Sequence, residues 1–251
     1  MNLEAKYIRH ILNKTFEPGT KTAIIELRKW LRKYFKIQKE IILKDLKSDM
    51  ELSENIFKSL SEDEQNAQDD LKKILELITT KMTTKGAEML LKNLNIDSSF
   101  WIEDFIALEY SKQHSWALIT QIDKTTKKQI NSIINTWLQE WADYTQLSKA
   151  ISNRFKSFSK YRANVIAINE VAKAYEYWKI TQAKEYSWRT WNNMVKKWIT
   201  QWDWKVSSAC KTCANDWWIS VDKLFTWWFD TPPETHINCR CYCKYDVKNN
   251  L

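Results

Sequence analysis

Apolar residues recur at helical spacing through the first two-thirds of this chain. Ser61-Glu62-Asp63-Glu64 has the form of a capping box, in which the serine oxygen takes a backbone N–H and Glu64 reaches back. Leu71, Ile74, Leu75 and Ile78 then share one face of the helix it opens. A second box, Thr126-Lys127-Lys128-Gln129, predicts another helix start, followed by Ile130, Ile133, Ile134, Trp137 and Leu138 on one face. A stop is expected near residue 141 and a new start at Asp143 or Thr145, leading through Leu147, Ala150 and Ile151. Tyr161 to Tyr177 is the cleanest helical segment, with Val165, Ile168, Ala172 and Tyr175 on one face and Ile166 and Ala167 close by. After about residue 195 the texture changes. Lys197–Thr200 and Lys205–Ser208 predict short strands around a turn, Ile219-Ser220-Val221 a further strand, and Pro232-Pro233 a loop.

Charge adds a basic bias. The net charge is +8, and residues 1–50 hold twelve Lys/Arg against six Asp/Glu. The densest stretch, Arg28 to Lys36, reads first as the solvated face of an amphipathic helix and second as a docking helix for nucleic acid or a partner. Met1 to Phe16 has neither an unbroken apolar stretch nor a small-residue cleavage site, so no signal peptide is expected. No run approaches the roughly 18 apolar residues of a membrane span, so no membrane partner is expected.

Composition changes the picture more sharply. The chain has 15 tryptophans and 2 glycines, where ordinary usage of about 7% predicts roughly 18 glycines. The tryptophans also stand in turn-like contexts, as in Asn215-Asp216-Trp217-Trp218, Thr226-Trp227-Trp228-Phe229-Asp230 and Gln201-Trp202-Asp203-Trp204. Some genetic codes read UGA as glycine and others as tryptophan; a gene of the first kind translated by the second gives this pattern. Trp202, Trp204, Trp217 and Trp227 are then expected in turns or exposed loops. The competing expectation is a tryptophan-rich core or a base-stacking surface.

All five cysteines lie between residues 210 and 243. An odd number without a secretion signal argues against a disulfide framework and for a metal site. Cys210-Lys-Thr-Cys213 is a CxxC pair, expected on a tight turn that aims two thiolates at one point. His236, Cys239 and Cys241 follow as H-x-x-C-x-C. The expected ligands are Cys210 and Cys213 with two of His236, Cys239 and Cys241, around a structural Zn²⁺, with Cys243 the spare thiol. Asp216 and Glu234 are the nearest carboxylates in sequence, and His10 and His114 read as structural. No P-loop, HExxH, GxSxG or dinucleotide fingerprint occurs, even with each tryptophan reread as glycine. The fold class expected is mainly α, with a small α+β, Cys-rich, zinc-binding C-terminal domain.

One family pattern emerges from the same residues. Arg162-Ala-Asn-Val-Ile-Ala-Ile-Asn-Glu170 is followed by Ala172, Ala174 and Trp178. Lys196-Lys197-Trp198-Ile199-Thr200 leads to Asp203 and the CxxC, then to Asp216-Trp217-Trp218-Ile219. Further on stands Pro232-Pro233-Glu-Thr-His236-Ile-Asn238-Cys239-Arg240-Cys241. This resembles the phage Mu protein F-like family of head morphogenesis, or minor capsid, proteins, whose domain runs from an R-x-x-x-I-A-x-T-E helix to P-P-x-x-H-x-N-C-R-C. Asn169 replaces the family's threonine.

The resemblance covers about residues 115–245 and divides the chain into a helical N-terminal region, 1–114, and a head-morphogenesis domain, 115–251, with metal-binding loops in 196–245. It implies that Trp198 is a true tryptophan, and that positions 137, 141, 178, 202, 204 and 217 are glycine. It implies a non-enzymatic minor component of a tailed phage virion, at the head interior or portal vertex, assembled in the host cytoplasm. Its implied partners are the portal protein and other head proteins, with double-stranded DNA as a further contact during packaging or ejection. Arg162 and Glu170, two helical turns apart, are expected to hydrogen-bond the zinc-bearing loops. The competing readings are a zinc-dependent enzyme or toxin-like hydrolase, and a basic zinc-knuckle nucleic-acid-binding protein.

Overall fold

The structure is a computed structural model, and it describes residues 20–48, 62–96, 104–140, 144–200, 206–236, 239 and 241–248. Among the described residues four long helices come first: α1 (Thr20–Ser48), α2 (Glu62–Asn93), α3 (Asp104–Glu140) and α4 (Tyr144–Thr190). Three short strands follow, β1 (Met194–Ile199), β2 (Ile219–Ser220) and β3 (Tyr242–Val247). A short helix α5 (Ser208–Asn215) lies between β1 and β2, and 3-10 turns at Thr226–Trp228 and Pro232–Glu234 precede β3. The chain is thus mainly α with a small α+β, Cys-rich C-terminal part. Among the described residues no helix is long and apolar enough to cross a membrane.

Two compact units make up the chain, and neither is a continuous segment. The helical unit comprises Glu26–Leu77 and Tyr110–Ala167; the mixed unit comprises Met1–Ile25, Ile78–Glu109 and Ile168–Leu251. α1 to α4 each contribute residues to both units.

In the helical unit the heptad-like apolar rows do what their spacing predicts. Leu27, Leu31, Phe35, Leu71, Leu75, Ile119, Ile130 and Ile151 are fully or almost fully buried. The basic stretch of α1 is the outer side of that helix, with Lys29, Lys33 and Lys36 exposed while Leu31, Tyr34 and Phe35 are buried. Thr126 does not start a helix. It lies inside α3, where its hydroxyl donates to the Ile122 carbonyl at 2.9 Å, one turn back. That back-bond satisfies the side chain within a continuing helix, so the capping-box pattern misleads here. α3 ends at Glu140 and α4 begins at Tyr144, close to the expected stop and start. Ser61 and residues 141–143 lie outside the described residues.

One carboxylate gathers the helical unit's polar interior. Asp123 of α3 accepts hydrogen bonds from Tyr34 (2.6 Å) and Gln38 (2.6 Å) of α1 and from Gln68 (2.7 Å) of α2. Burial raises its pKa, against the opposing effect of these donors.

The mixed unit contains a three-stranded antiparallel sheet in the order β2-β1-β3. Residues Met194 to Ile199 face Val247 to Tyr242 along six pairs, with Trp198 opposite Cys243. β3 was not foreseen from the sequence, and the strand expected at Lys205–Ser208 is replaced by the start of α5 at Ser208. Met194, Trp198, Tyr245 and all five cysteines pack with Leu90 of α2 and Ile180 and Ala183 of α4 into one core. Gly86 of α2 lies so close to α4 that a Cβ there would run into the Tyr175 carbonyl oxygen. The innermost row of α4 is Ala163, Ala167, Val171, Ala174 and Trp178. It is rotated from the expected face, since Val165 and Ala172 are only half-buried.

Candidate metal centre

Ser207 fixes where α5 begins, its hydroxyl oxygen accepting from the Cys210 N–H at 3.2 Å. The helix that follows places Cys210 and Cys213 one turn apart, both fully buried. This is not the expected tight turn, and the two sulfurs have different partners. Cys210 Sγ lies 3.2 Å from His236 Nε2, 3.4 Å from Thr235 Oγ1 and 3.7 Å from Cys239 Sγ. Cys213 Sγ instead donates to the Thr226 carbonyl at 3.0 Å. Thr226 is held over it by Asp216, whose carboxylate accepts from the Thr226 N–H (2.7 Å) and hydroxyl (2.8 Å). Burial pushes the Cys213 thiol up to about 11, and the charge of Asp216 adds to the shift.

The thiols that converge are Cys210, Cys239 and Cys241. Their sulfurs all lie within 4.8 Å of one another, and all three residues are buried. Three close buried thiols can hold a metal ion. With metal–sulfur bonds of about 2.3 Å, a tetrahedral site has sulfurs about 3.8 Å apart. The Cys210–Cys239 separation of 3.7 Å fits that edge. Hydrogen bonds from Cys210 and Cys241 hold the Cys239 thiol below the ordinary thiol range, while the same hydrogen bonding pushes Cys241 up. Thiolate is the form of cysteine that ligates metal. His236, half-buried, is the nearest imidazole to this cluster through Cys210. No carboxylate joins the group among the described residues. Asp216 is occupied with Thr226, and Glu234 accepts from the Asp230 N–H at 3.0 Å.

Cys243 stays apart, as expected for the spare thiol. It sits in β3, where burial and the charge of Glu176 raise its pKa. Two side chains of α4 bracket its peptide groups: Glu176 accepts from the Cys243 N–H at 3.3 Å, and Lys179 Nζ donates to the Cys243 carbonyl at 3.0 Å. Glu176 and Lys179 also pair with each other at 2.9 Å. β3 is an edge strand, and this pair occupies hydrogen-bonding groups that a fourth strand would otherwise take. A second pair, its lysine buried and its aspartate half-buried, ties β1 to the loop before Pro232. Lys196, fully buried, pairs with Asp230, which also accepts from Lys184 at 2.7 Å. Burial opposes ionisation of Asp230, but these lysines outweigh it and hold its pKa below the ordinary range.

The residues carried over from the family pattern divide. Trp198 is buried in the core, edge-on to Phe225 at 5.1 Å between ring centres. Pro232 and Pro233 are buried in their 3-10 turn. Arg162 is not at the cysteine loops: it donates to Thr126 Oγ1 (2.9 Å) and to the Ile122 carbonyl (3.1 Å) of α3. Its guanidinium also lies over the rings of Phe35 and Phe158, where burial lowers its pKa to about 10. Glu170 is buried and pairs with Lys173 at 3.4 Å. The α4 carboxylate that meets β3 is Glu176, whose Glu-x-x-Lys spacing is legible as a helical pair but whose burial is not. Asp203, Asn238 and Arg240 lie outside the described residues.

The tryptophans divide too. Trp217 and Trp227 are exposed in the segment after α5, as expected. Trp178, expected as glycine, is instead a fully buried side chain packed with Ala87. Trp137 lies within α3, and Trp141, Trp202 and Trp204 lie outside the described residues. No family model matches this chain, and neither a curated protein nor a solved structure matches it.

Proposed function

We propose that this chain is a non-enzymatic minor head protein of a tailed phage, acting in head morphogenesis at the portal, with a structural Zn²⁺ pinning its C-terminal part. The observation that carries this reading is the Pro-Pro…His…Cys-Arg-Cys string of residues 232–241 following a CxxC at family spacing. The geometry supports a structural rather than a catalytic metal. Cys210, Cys239 and Cys241 are buried together, and His236 Nε2 lies 3.2 Å from Cys210 Sγ. A catalytic zinc needs an open position and a general base, whereas Asp216 and Glu234 are committed to holding loops. Bound there, the ion would link α5 to the segment before β3.

The partners proposed are the portal protein and other head proteins, with double-stranded DNA as a further contact supported by the net charge of +8. Co-expression with a tailed-phage portal protein tests the reading. Co-elution of the two as one species is the expected result, and separate elution at micromolar concentration would count against portal association. The DNA contact is expected to weaken steeply as salt is raised.

A further inference from the structure

Four non-glycine residues among those described have backbones in the left-handed region: Asn95, Trp191, Trp227 and Trp228. Asn95 needs no special account. It is the left-handed residue closing α2, with the Asn95 N–H on the Lys92 carbonyl and the Ile96 N–H on the Leu91 carbonyl. Asparagine is enriched in that conformation because its short polar side chain tolerates it. The other three are tryptophan, which makes up only 15 of 251 residues.

Each of the three occupies a position that physics reserves for glycine. Trp191 directly follows the end of α4 at Thr190 with φ 56°, the left-handed position after a helix where glycine is favoured. Trp227 and Trp228, with φ 69° and 66°, are consecutive left-handed residues in the turn between Phe225 and Phe229. Two adjacent positive φ values are what a Gly-Gly or Asn-Gly turn supplies. That turn is closed by the Trp228 N–H on the Phe225 carbonyl and the Phe225 N–H on the Phe229 carbonyl. It also presents the Thr226 carbonyl to Cys213 beside the metal centre.

The indoles give nothing back for this strain. Trp191, Trp227 and Trp228 are 88%, 63% and 85% exposed. A base-stacking surface would account for exposed indoles, but not for the backbone, since stacking needs the ring and not a left-handed residue. Trp198 is the contrast: it is 1% exposed and packed edge-on to Phe225.

We propose that residues 191, 227 and 228 are glycine in the protein as its source makes it, each encoded by UGA read as glycine. The exposed aromatic surface around these positions then belongs to the translated sequence and not to the native molecule. The inference is independent of the phage reading.

The coding DNA and the native protein test it together. The expected result is UGA at codons 191, 227 and 228, UGG at codon 198, and glycine at the first three positions in peptides from native protein analysed by mass spectrometry. UGG at any of the three, UGA at 198, or tryptophan in a native peptide would overturn it. A second measurement uses the tryptophan-bearing chain. W191G, W227G and W228G are each expected to raise Tm by about 2–4 °C, and the matching alanine variants by less, because alanine still carries a Cβ into the left-handed region. Alanine gains equal to the glycine gains would assign the effect to lost indole bulk and refute the proposal.

Discussion

Tyr34, Gln38 and Gln68 all donate to the carboxylate of Asp123, from two other helices. Asp123→Ala would leave three buried donors unmet, and we expect a loss of roughly 3 kcal/mol or more in urea unfolding. Asp123→Asn, which keeps the carbonyl acceptor, should cost less. At the cysteines the expectation is a split. Cys210→Ser, Cys239→Ser and Cys241→Ser should each lose bound zinc by elemental analysis, while Cys213→Ser and Cys243→Ser retain it. Zinc lost equally from the Cys213 variant would restore the CxxC pairing that the spacing first suggests. Residue identities made a cysteine cluster able to hold a metal legible, because five cysteines fall within 34 positions, 210–243. They did not reveal which thiol turns away, since that depends on Thr226 being held over Cys213 by Asp216. Asp123 was invisible for a related reason: a lone aspartate in a helical run reads as exposed, and only the packing of three helices buries it.

Helices of this length announce themselves through apolar periodicity, which is why α2 and α4 could be read from their rows. Their ends and rotations were less legible. Thr126 fits a cap and an interior position equally well, and packing decides between them. β3 escaped because its alternation of buried Cys243 and Tyr245 with exposed Tyr242 and Lys244 spans too few residues to separate from a cysteine-rich loop. Between α2 and α4 the contact at Gly86 gives a signed prediction. Glycine to alanine inside an exposed helix gains about 1 kcal/mol, but here the new Cβ meets the Tyr175 carbonyl. Overpacking costs about 1–3 kcal/mol, so Gly86→Ala should lower stability. The link between β1 and the loop at Asp230 has a pH signature. The Asp230 pKa is depressed in the folded state, so its contribution is present above the unfolded value of about 3.9 and lost as pH falls below it. Asp230→Asn should be less stable than the parent by about 3 kcal/mol at pH 7, and the two urea midpoints should converge under acid conditions.

At the scale of the whole chain, the two compact units are assembled from interleaved segments. Cysteine spacing carries no information about which helix closes the core around the cysteines. That closing residue includes Leu90, from the second half of α2, in the same core as all five cysteines. A fragment of residues 115–251 would lack Leu90 and the Gly86 contact with α4. It should therefore show weak amide protection around β1 and β3 and a broad thermal transition even when zinc is supplied. A cooperative transition matching that of the full chain would refute this. The same interleaving bears on inheritance. A genetic crossover falling near codon 115 would separate the cysteine-rich end from the stretch of α2 that completes its core. Exchange of this end between related genes is therefore expected to carry codons 78–96 along with it.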